Sequence, residues 1–236
     1  MIQQPRSLNP DRWPSVSKVL GVIGSKSLLE MYGDLGTVKV LQVFKEAAGI
    51  GDETHLHIER FTKGETKLLD PDLAKHSKAK AALRSFRLFH NHYNPNYLEA
   101  EVTCRSKVHQ YICRFDQLLS VDITKIWGLA GGIGLVMTDW KTSNSVDDKY
   151  VLQLAANAQA FYEERGIFPD IGMVVKLSKD HSGPPLCEVH IYKNLRRFVP
   201  VFLSLLRVWR FLNGWGGWGK ASAGPKIDML LDQGSH

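Results

Sequence analysis

Helical spacing of apolar residues dominates the beginning of the chain. The segment "SVSKVLGVIGSKSLLEMYG" predicts a helix that begins at Ser15 or Ser17, because serine is a favoured N-cap residue, and that breaks near Gly21 and Gly24. Apolar positions continue at helical spacing through "KVLQVFKEAAGI" and "ETHLHIERFTKG". The chain is therefore predicted to open with a helical region.

Two further boundaries are predicted within this helical region. A second helix is expected to end at Gly49 or Gly51, and the segment after it resumes helically. A third helix, "DPDLAKHSKAKAALRSFRLFHNHYNP", has Asp70 as its cap, Pro71 in its first turn and Pro95 as its stop. Its basic residues lie opposite its apolar ones, so we expect it to lie on the surface.

From residue 97 onwards apolar residues alternate with polar ones, which is typical of half-buried strands. "YLEAEVTCRS", "VHQYICRFDQLLSV" and "GLVMTDWKTS" predict a three-stranded meander, and "DIGMVVKLS" with "LCEVHIYK" predicts a hairpin. Between them "DDKYVLQLAANAQAFYEERG" predicts a helix that ends at Gly166. A helical crossover joins parallel strands, so the order of elements predicts an α/β fold with a mixed central sheet flanked by helices.

We expect residues 1–236 to form a single domain with three parts. Residues 1–95 would be a mainly helical N-terminal part, 96–193 the α/β core, and 194–236 a basic C-terminal helix, "LRRFVPVFLSLLRVWRFLNG", with its tail. Trp215 and Trp218 in the tail either pack on the protein or stack on nucleic-acid bases. The link "GLAGGIG" lacks the spacing of a phosphate-binding loop, so no such loop is predicted.

Charge and cysteine content narrow the class of protein. The formal net charge of +6 favours an anionic partner, of which nucleic acid is the first candidate. The three cysteines include no CxxC pair, which argues against a zinc ribbon, a disulfide framework or an iron–sulfur cluster. No signal-peptide core or membrane-spanning stretch is present in the sequence. We therefore expect an intracellular protein, in the cytoplasm of a bacterial or phage-infected cell, with a mitochondrion or nucleus left open.

Basic residues of the third predicted helix, among them Lys78, Arg84 and Arg87, have two interpretations. They form a solvated helix face, or they contact a phosphate backbone, in which case they confer no sequence specificity. Ser15 and Ser17 likewise either cap the first helix or contact phosphates. These five residues are the candidates for substrate binding.

Each strand of the predicted meander carries a candidate acid: Glu101 lies on the first, Asp116 on the second and Asp139 on the third. Lys141 shares a strand face with Asp139, because residues two apart on a strand point the same way. Carboxylates from neighbouring strands suit a hard divalent cation, Mg²⁺ or Mn²⁺, which activates water and polarises phosphoryl oxygens. The pattern therefore indicates phosphodiester hydrolysis, with a simple surface ion pair between Asp139 and Lys141 as the alternative.

The stretch "TDWKTS" resembles the hallmark of the PD-(D/E)XK nuclease superfamily, in its RecB-like and Cas4-like exonuclease branch. Four other segments resemble that branch in the same order: "SVSKVL", "GDETHLHIERF", "YICRFD" and "YVLQLAANAQAFYEE". Within the branch, the opening segment is most similar to the mitochondrial genome maintenance exonucleases. The likeness covers roughly residues 13–165. The chain departs from the branch at Asn157, where tyrosine is usual, and it lacks the four cysteines of a Cas4 cluster.

The resemblance implies a restriction-endonuclease-like core and assigns roles to particular residues. Asp116 and Asp139 would be the central metal ligands, with the backbone carbonyl of Trp140 as a further ligand. His55 would complete the metal site from the helical region. Lys141 would be the catalytic lysine, which stabilises negative charge as it develops on the phosphate or orients the attacking water.

The remaining catalytic roles also follow from the resemblance. Glu101 would complete the set of acids, although Glu99 has the same strand parity and only the family spacing favours Glu101. Gln153 would face the reacting phosphate or water from the helix after the meander. Gly51 and Glu59 flank His55 as they do in the helical signature of the family.

The function implied is that of a Mg²⁺- or Mn²⁺-dependent deoxyribonuclease of replication, recombination or repair. We expect an exonuclease that acts on DNA with free ends, single-stranded DNA first. Three alternatives stay open: a structure-specific flap endonuclease, a non-catalytic DNA-binding accessory protein of recombination, and a nuclease that acts on RNA. The intact set of acids and lysine argues against a decayed, non-catalytic site, because buried charges are costly to keep.

Overall fold

A single mixed sheet organises the chain in the computed structural model, which describes residues 12–24, 26–124, 132–180 and 182–215. Its strand order follows the sequence, and its strands are β1 (Asn96–Ser106), β2 (Tyr111–Asp122), β3 (Ile133–Lys141), β4 (Ile171–Leu177) and β5 (Cys187–Lys193). Neighbouring strands are antiparallel except for β3 and β4, which are parallel. This topology confirms the predicted α/β class, the meander and the hairpin. Most of the glycine-rich link before β3 lies outside the described residues.

Five α-helices flank this sheet in the described part of the chain. They are α1 (Val16–Leu20), α2 (Lys26–Thr62), α3 (Ser77–Tyr93), α4 (Lys149–Arg165) and α5 (Val199–Leu212). Short 3-10 turns occur at Gly21–Ile23, Pro71–Leu73 and Leu195–Phe198. As predicted, Ser15 caps α1, its Oγ accepting the Lys18 N–H at 3.3 Å, and α4 is the crossover between the parallel strands. None of the described helices is long and apolar enough to cross a membrane.

Three predicted boundaries were wrong. The second helix does not end at Gly49 or Gly51, because α2 continues through both to Thr62. A glycine inside a helix costs only about 1 kcal/mol relative to alanine, and burial of Ile50 and Ile58 beside the sheet offsets that cost. Asp70 caps the 3-10 turn instead of the third helix, since α3 begins only at Ser77. The second strand begins at Tyr111, after a turn over residues 107–110.

The core has two layers, one on each face of the sheet. On one face α1, α4 and α5 pack around Phe115, Phe161 and Phe202. On the other face α2 and α3 pack around Phe86 and Trp140. The long α2 thereby lies beside the strand that ends in Lys141, which matters for the site described next.

The C-terminal tryptophans were expected to pack or to stack on bases. Trp215 lies against Trp209 of α5, with ring centroids 5.7 Å apart in an edge-on arrangement. This contact favours packing for Trp215. Trp218 lies outside the described residues.

Candidate metal-dependent active site

The site forms where β2 and β3 stop pairing. The antiparallel register between these strands ends at the pair Gln117 and Thr138, just before Asp116 on one strand and Asp139 on the other. We call the point where the two strands separate the fork. Asp116 Oδ2 accepts the backbone N–H of Trp140 at 2.7 Å, so a carboxylate bridges the two strands there. A gap between two strands is thus held open with an acid on each side.

Glu101 faces Asp116 from β1. Their neighbours, Ala100 with Gln117 and Val102 with Phe115, are paired, so the two acids lie opposite each other. Glu101 has a φ of 54°, a left-handed conformation that side chains other than glycine rarely adopt within a strand. Such a conformation costs on the order of 1–3 kcal/mol and is found preferentially at functional sites. The local strain marks Glu101 as a residue that the fold holds in place against its backbone preference.

The backbone of β1 and the contacts of each side chain separate Glu101 from Glu99, which strand parity alone could not do. Both glutamates follow the same register with β2, because the irregularity in this pairing lies before them, between Tyr97 and Glu99. The left-handed backbone of Glu101 is what interrupts the alternation of side chains here. Glu99 is directed to Arg165 of α4, with a Nη2–Oε2 distance of 3.3 Å, and takes no part in the acid cluster. Of the two candidate glutamates, the structure therefore brings Glu101 to the fork.

His55 reaches the same point from α2. Its Nε2 lies 3.1 Å from the carbonyl oxygen of Trp140 and must be the donor, because a carbonyl can only accept. Its Nδ1 is 3.5 Å from Asp116 Oδ1 and 3.8 Å from Glu101 Oε1. The Trp140 carbonyl, predicted as a metal ligand, here orients the imidazole so that Nδ1 faces the carboxylates. Carbonyls commonly orient a ligating histidine in this way.

The electrostatics of His55 follow from these neighbours. Burial works to lower its pKa, but the charge of Asp116 and hydrogen bonds to Asp116 and Glu101 outweigh burial and raise the pKa to about 10. The same interactions act on the partner: burial works to raise the pKa of Asp116, and the charge of His55 and the Trp140 N–H lower it overall. The protonated imidazole thus balances part of the negative charge of the acids.

Together His55, Glu101 and Asp116 form a group that can hold a metal ion, with one ligand atom from each within 4.8 Å of the others. They open onto a cavity of about 610 Å³, which Gly51 and Glu59 also line. Carboxylate oxygens with one imidazole suit a divalent cation such as Mg²⁺ or Mn²⁺. The donor set therefore fits the predicted metal, and the identity of the ion stays a prediction.

Asp139 lies beside this group but is held by different partners. Lys141 Nζ is 2.5 Å from its Oδ2, and the Gln153 side-chain amide donates to its Oδ1 at 3.1 Å. Burial and the nearby charge of Asp116 raise the pKa of Asp139 to about 6 even though Lys141 opposes them. The pair is thus not the exposed surface ion pair considered from the sequence, since the Asp139 side chain is only 2% exposed.

Lys141 is held as a cation in this arrangement. Burial works to lower its pKa, and the charges of Asp139 and Asp116 outweigh burial, so the pKa lies above its ordinary value. Its Nζ also lies 4.8 Å from the centroid of the Tyr150 ring, a cation–π contact from α4. A lysine fixed in this way can stabilise negative charge but cannot serve as a base near neutral pH.

The predicted substrate-binding residues do not gather at the fork. Ser15 caps α1 and lies 3.1 Å from Ser17 between the two hydroxyl oxygens. Arg84 and Arg87 lie on the exposed face of α3, where Arg84 pairs with Asp72. Lys78, at the N-terminal end of the same helix, lines a second cavity. A role in substrate binding stays a prediction for all five residues.

Arg114 is a residue of the site that sequence reasoning missed. Its Nε donates to Glu101 Oε2 at 2.6 Å, and its side chain lines the cavity of the acid cluster. The signal was present in the strand pattern, because Arg114 precedes Asp116 by two residues and so shares its face. Asn157, where the family usually has tyrosine, is fully buried and does not face the cavity lining.

No family model and no curated protein sequence matches the chain. Solved structures that align with most of it include the following two. One, a protein from Eubacterium rectale named "Putative exonuclease", is 12% identical, with 89% of this chain and 85% of that chain covered and a TM-score of 0.48. The other, SSO0001, is 14% identical, with 84% and 75% covered and a TM-score of 0.40. These are distant likenesses.

Proposed function

We propose that the protein is a metal-dependent deoxyribonuclease, an exonuclease that hydrolyses phosphodiester bonds from free DNA ends. The observation that carries the proposal is the convergence of side chains from five separate elements on one fork in the sheet. These are His55 of α2, Glu101 of β1, Asp116 of β2, the Asp139–Lys141 pair of β3 and Gln153 of α4. Core packing alone gives no reason to bring so many charged groups together, because each one loses hydration.

The residues divide the chemistry among them. His55 Nδ1 and the carboxylates of Glu101 and Asp116 would hold the divalent cation, with Asp139 beside them. When bound, such an ion polarises a phosphoryl oxygen and makes water more acidic. Lys141 Nζ supplies a fixed positive charge for the negative charge that develops on the phosphate oxygens.

Other residues keep these groups in place. Gln153 fixes the carboxylate of Asp139 through the hydrogen bond to Oδ1, and Arg114 does the same for Glu101. The Trp140 carbonyl fixes the ring of His55. All of these groups act on phosphate and metal and none of them on a base, so we expect cleavage without sequence preference.

A direct test incubates the protein with end-labelled single-stranded and duplex DNA in Mg²⁺, Mn²⁺ or chelator. We expect degradation from the ends that requires metal and that is abolished in Asp116→Asn and in Lys141→Ala. Glu65→Gln, on the exposed turn after α2, is a matched control that should retain full activity. Full activity of either site variant, or of the chelated protein, would refute the proposal.

Circular single-stranded DNA separates the exonuclease from the endonuclease alternative. An enzyme that needs a free end leaves the circle intact, whereas a flap or single-strand endonuclease opens it. A labelled RNA of the same sequence tests the remaining substrate class. A protein that binds DNA tightly and degrades no nucleic acid with either metal would instead be the non-catalytic accessory module.

A further inference from the structure

A second cavity, of about 620 Å³, borders the same strand end as the acid cluster. Helix α2 contributes to both cavities, with Ile50 lining the second and the adjacent Gly51 lining the first. Ser143 and Asn144, which follow Lys141 closely in the chain, also line the second cavity. The charged residues of its lining are three lysines, Lys78, Lys176 and Lys179, and two acids, Glu46 and Asp180. We call it the lysine cavity because the lysines outnumber the acids.

Three separate elements supply the three lysines. Lys78 comes from the first turn of α3, Lys176 from β4, where it pairs with Lys141 of β3 in the parallel register, and Lys179 from the segment after β4. Lysines that are neighbours in sequence are common on protein surfaces, where solvent screens their charges. Lysines that the tertiary structure brings to one concave site are a different matter, because their mutual repulsion must be offset.

Their neutralisation is incomplete. Lys78 pairs with Glu46 at 2.7 Å and Lys176 with Glu188 at 2.6 Å, but both acids are about half exposed and so screen poorly. Burial and the charge of Lys78 lower the pKa of Lys179, and Glu46 only partly opposes them. An anion in the cavity would relieve this repulsion, and the hydroxyl and amide groups of the lining can donate hydrogen bonds to it.

The cavity of the acid cluster has the opposite character. Acids line it, including Asp52 and Glu59 besides Glu101 and Asp116. Among the described residues of this lining, the opposing groups are the cation Arg114 and the titratable His55. Without a bound metal ion, a polyanion gains no affinity from such a surface. The binding energy for a nucleic acid has to come from cationic groups nearby, and the lysine cavity offers them at the end of the same strand.

We propose that the lysine cavity binds a phosphate of the nucleic-acid substrate, next to the phosphodiester bond that lies at the acid cluster. This inference rests on the proposed function, because it assigns a binding position to the nucleic-acid substrate of that function. The cavity holds the strand by charge and by hydrogen bonds to phosphate oxygens. It therefore contributes affinity and positioning without sequence preference.

The test measures binding separately from cleavage. Fluorescence anisotropy of a labelled single-stranded oligonucleotide is followed in chelator, over a range of salt concentrations, for the unaltered protein, Lys179→Gln and Lys176→Gln/Lys179→Gln. Lys107→Gln, in the exposed turn between β1 and β2, is the matched control. For each phosphate that a lysine no longer neutralises, we expect Kd to rise about fivefold near 0.1 M salt and the slope of log Kd against log salt to fall by about 0.7.

Two results would overturn the inference: an unchanged Kd and salt slope in the double variant, or an equal rise in Kd in Lys107→Gln. Thermal melting of each variant shows whether its fold is retained. If the double variant unfolds, Lys179→Gln alone still tests the inference, because it leaves the ion pair between Lys176 and Glu188 intact. Oligonucleotides with and without a 5′-phosphate show whether the cavity binds a terminal or an internal phosphate. Kd differs between the two oligonucleotides only if the bound phosphate is the terminal one.

The outcome is separable from that of the proposed function. If DNA binding depends on the lysines but no metal-dependent cleavage occurs, phosphate binding in the lysine cavity is supported and the proposed nuclease activity is refuted. If cleavage requires metal but KM is the same in the lysine variants and the unaltered protein, the nuclease activity is supported and the role of the lysine cavity is refuted. A raised KM with unchanged kcat is the result expected if both are right.

Discussion

Metal binding should displace a proton from His55, and the affinity for metal should therefore rise with pH. The carboxylates of Asp116 and Glu101 raise the pKa of His55 to about 10, so the imidazole is protonated at neutral pH. A divalent cation needs the neutral ring, of which about one part in 10³ exists at pH 7. Displacing the proton costs about 4 kcal/mol there, at about 1.4 kcal/mol per pH unit.

The sign of the effect is fixed by the direction of the shift. The pKa in the folded protein lies above the ordinary value of 6.5, so the protonated ring stabilises the metal-free fold fully below about pH 6.5. That contribution is lost as the pH rises towards 10. The affinity for metal follows the opposite trend and increases with pH, because at higher pH a smaller fraction of His55 carries the proton that the metal must displace. Between pH 7 and 9, above the pKa of Asp139 of about 6, we expect Kd for Mg²⁺ to fall about tenfold per pH unit.

Calorimetric titration with Mg²⁺ in two buffers of different protonation enthalpy measures both Kd and the number of protons released. We expect close to one proton per ion at pH 7 and a gap between the melting temperatures in Mg²⁺ and in chelator that widens with pH. His55→Asn, which does not titrate, should bind weakly with an affinity independent of pH. A Kd that stays constant from pH 7 to 9 in the unaltered protein, or no proton release, would refute the reasoning.

Three further predictions concern stability. Lys141→Ala leaves the buried Asp139 without its counterion and should lower the free energy of unfolding by about 3–5 kcal/mol in urea titrations; an unchanged midpoint would contradict the pair geometry. Glu53 accepts the backbone N–H groups of Lys75 and His76 just before α3, so Glu53→Gln should cost about 1–2 kcal/mol, with unaltered stability as the contrary result. Gly51→Ala should stabilise α2 by up to about 1 kcal/mol, because the new Cβ would meet only Thr142 Oγ1, at 3.6 Å; a loss of stability would show that α2 packs more closely there.

Much of the fold could be predicted because it depends on local pattern. The alternation of apolar residues in β1 to β3, the helical period of α4 and the Gly166 stop are properties of short segments. Each of these elements was found where the sequence predicted it, apart from the later start of β2 at Tyr111. Boundaries failed where packing overrode propensity. Gly49 and Gly51 signal a break by themselves, yet α2 passes through both because burial against the sheet outweighs their helical cost.

The sequence by itself determined which side chains were available and their order, down to the acids, the lysine and the histidine of the site. Only the tertiary structure decided how they meet. Strand parity could not distinguish Glu99 from Glu101. The left-handed backbone of Glu101 and the pairing of Glu99 with Arg165 distinguish them in the structure. The contact between His55 and the Trp140 carbonyl spans 85 positions, and the lysine cavity draws on three elements. Local pattern fixes the face on which a residue lies, whereas distant segments come together only through the packing of helices on the sheet.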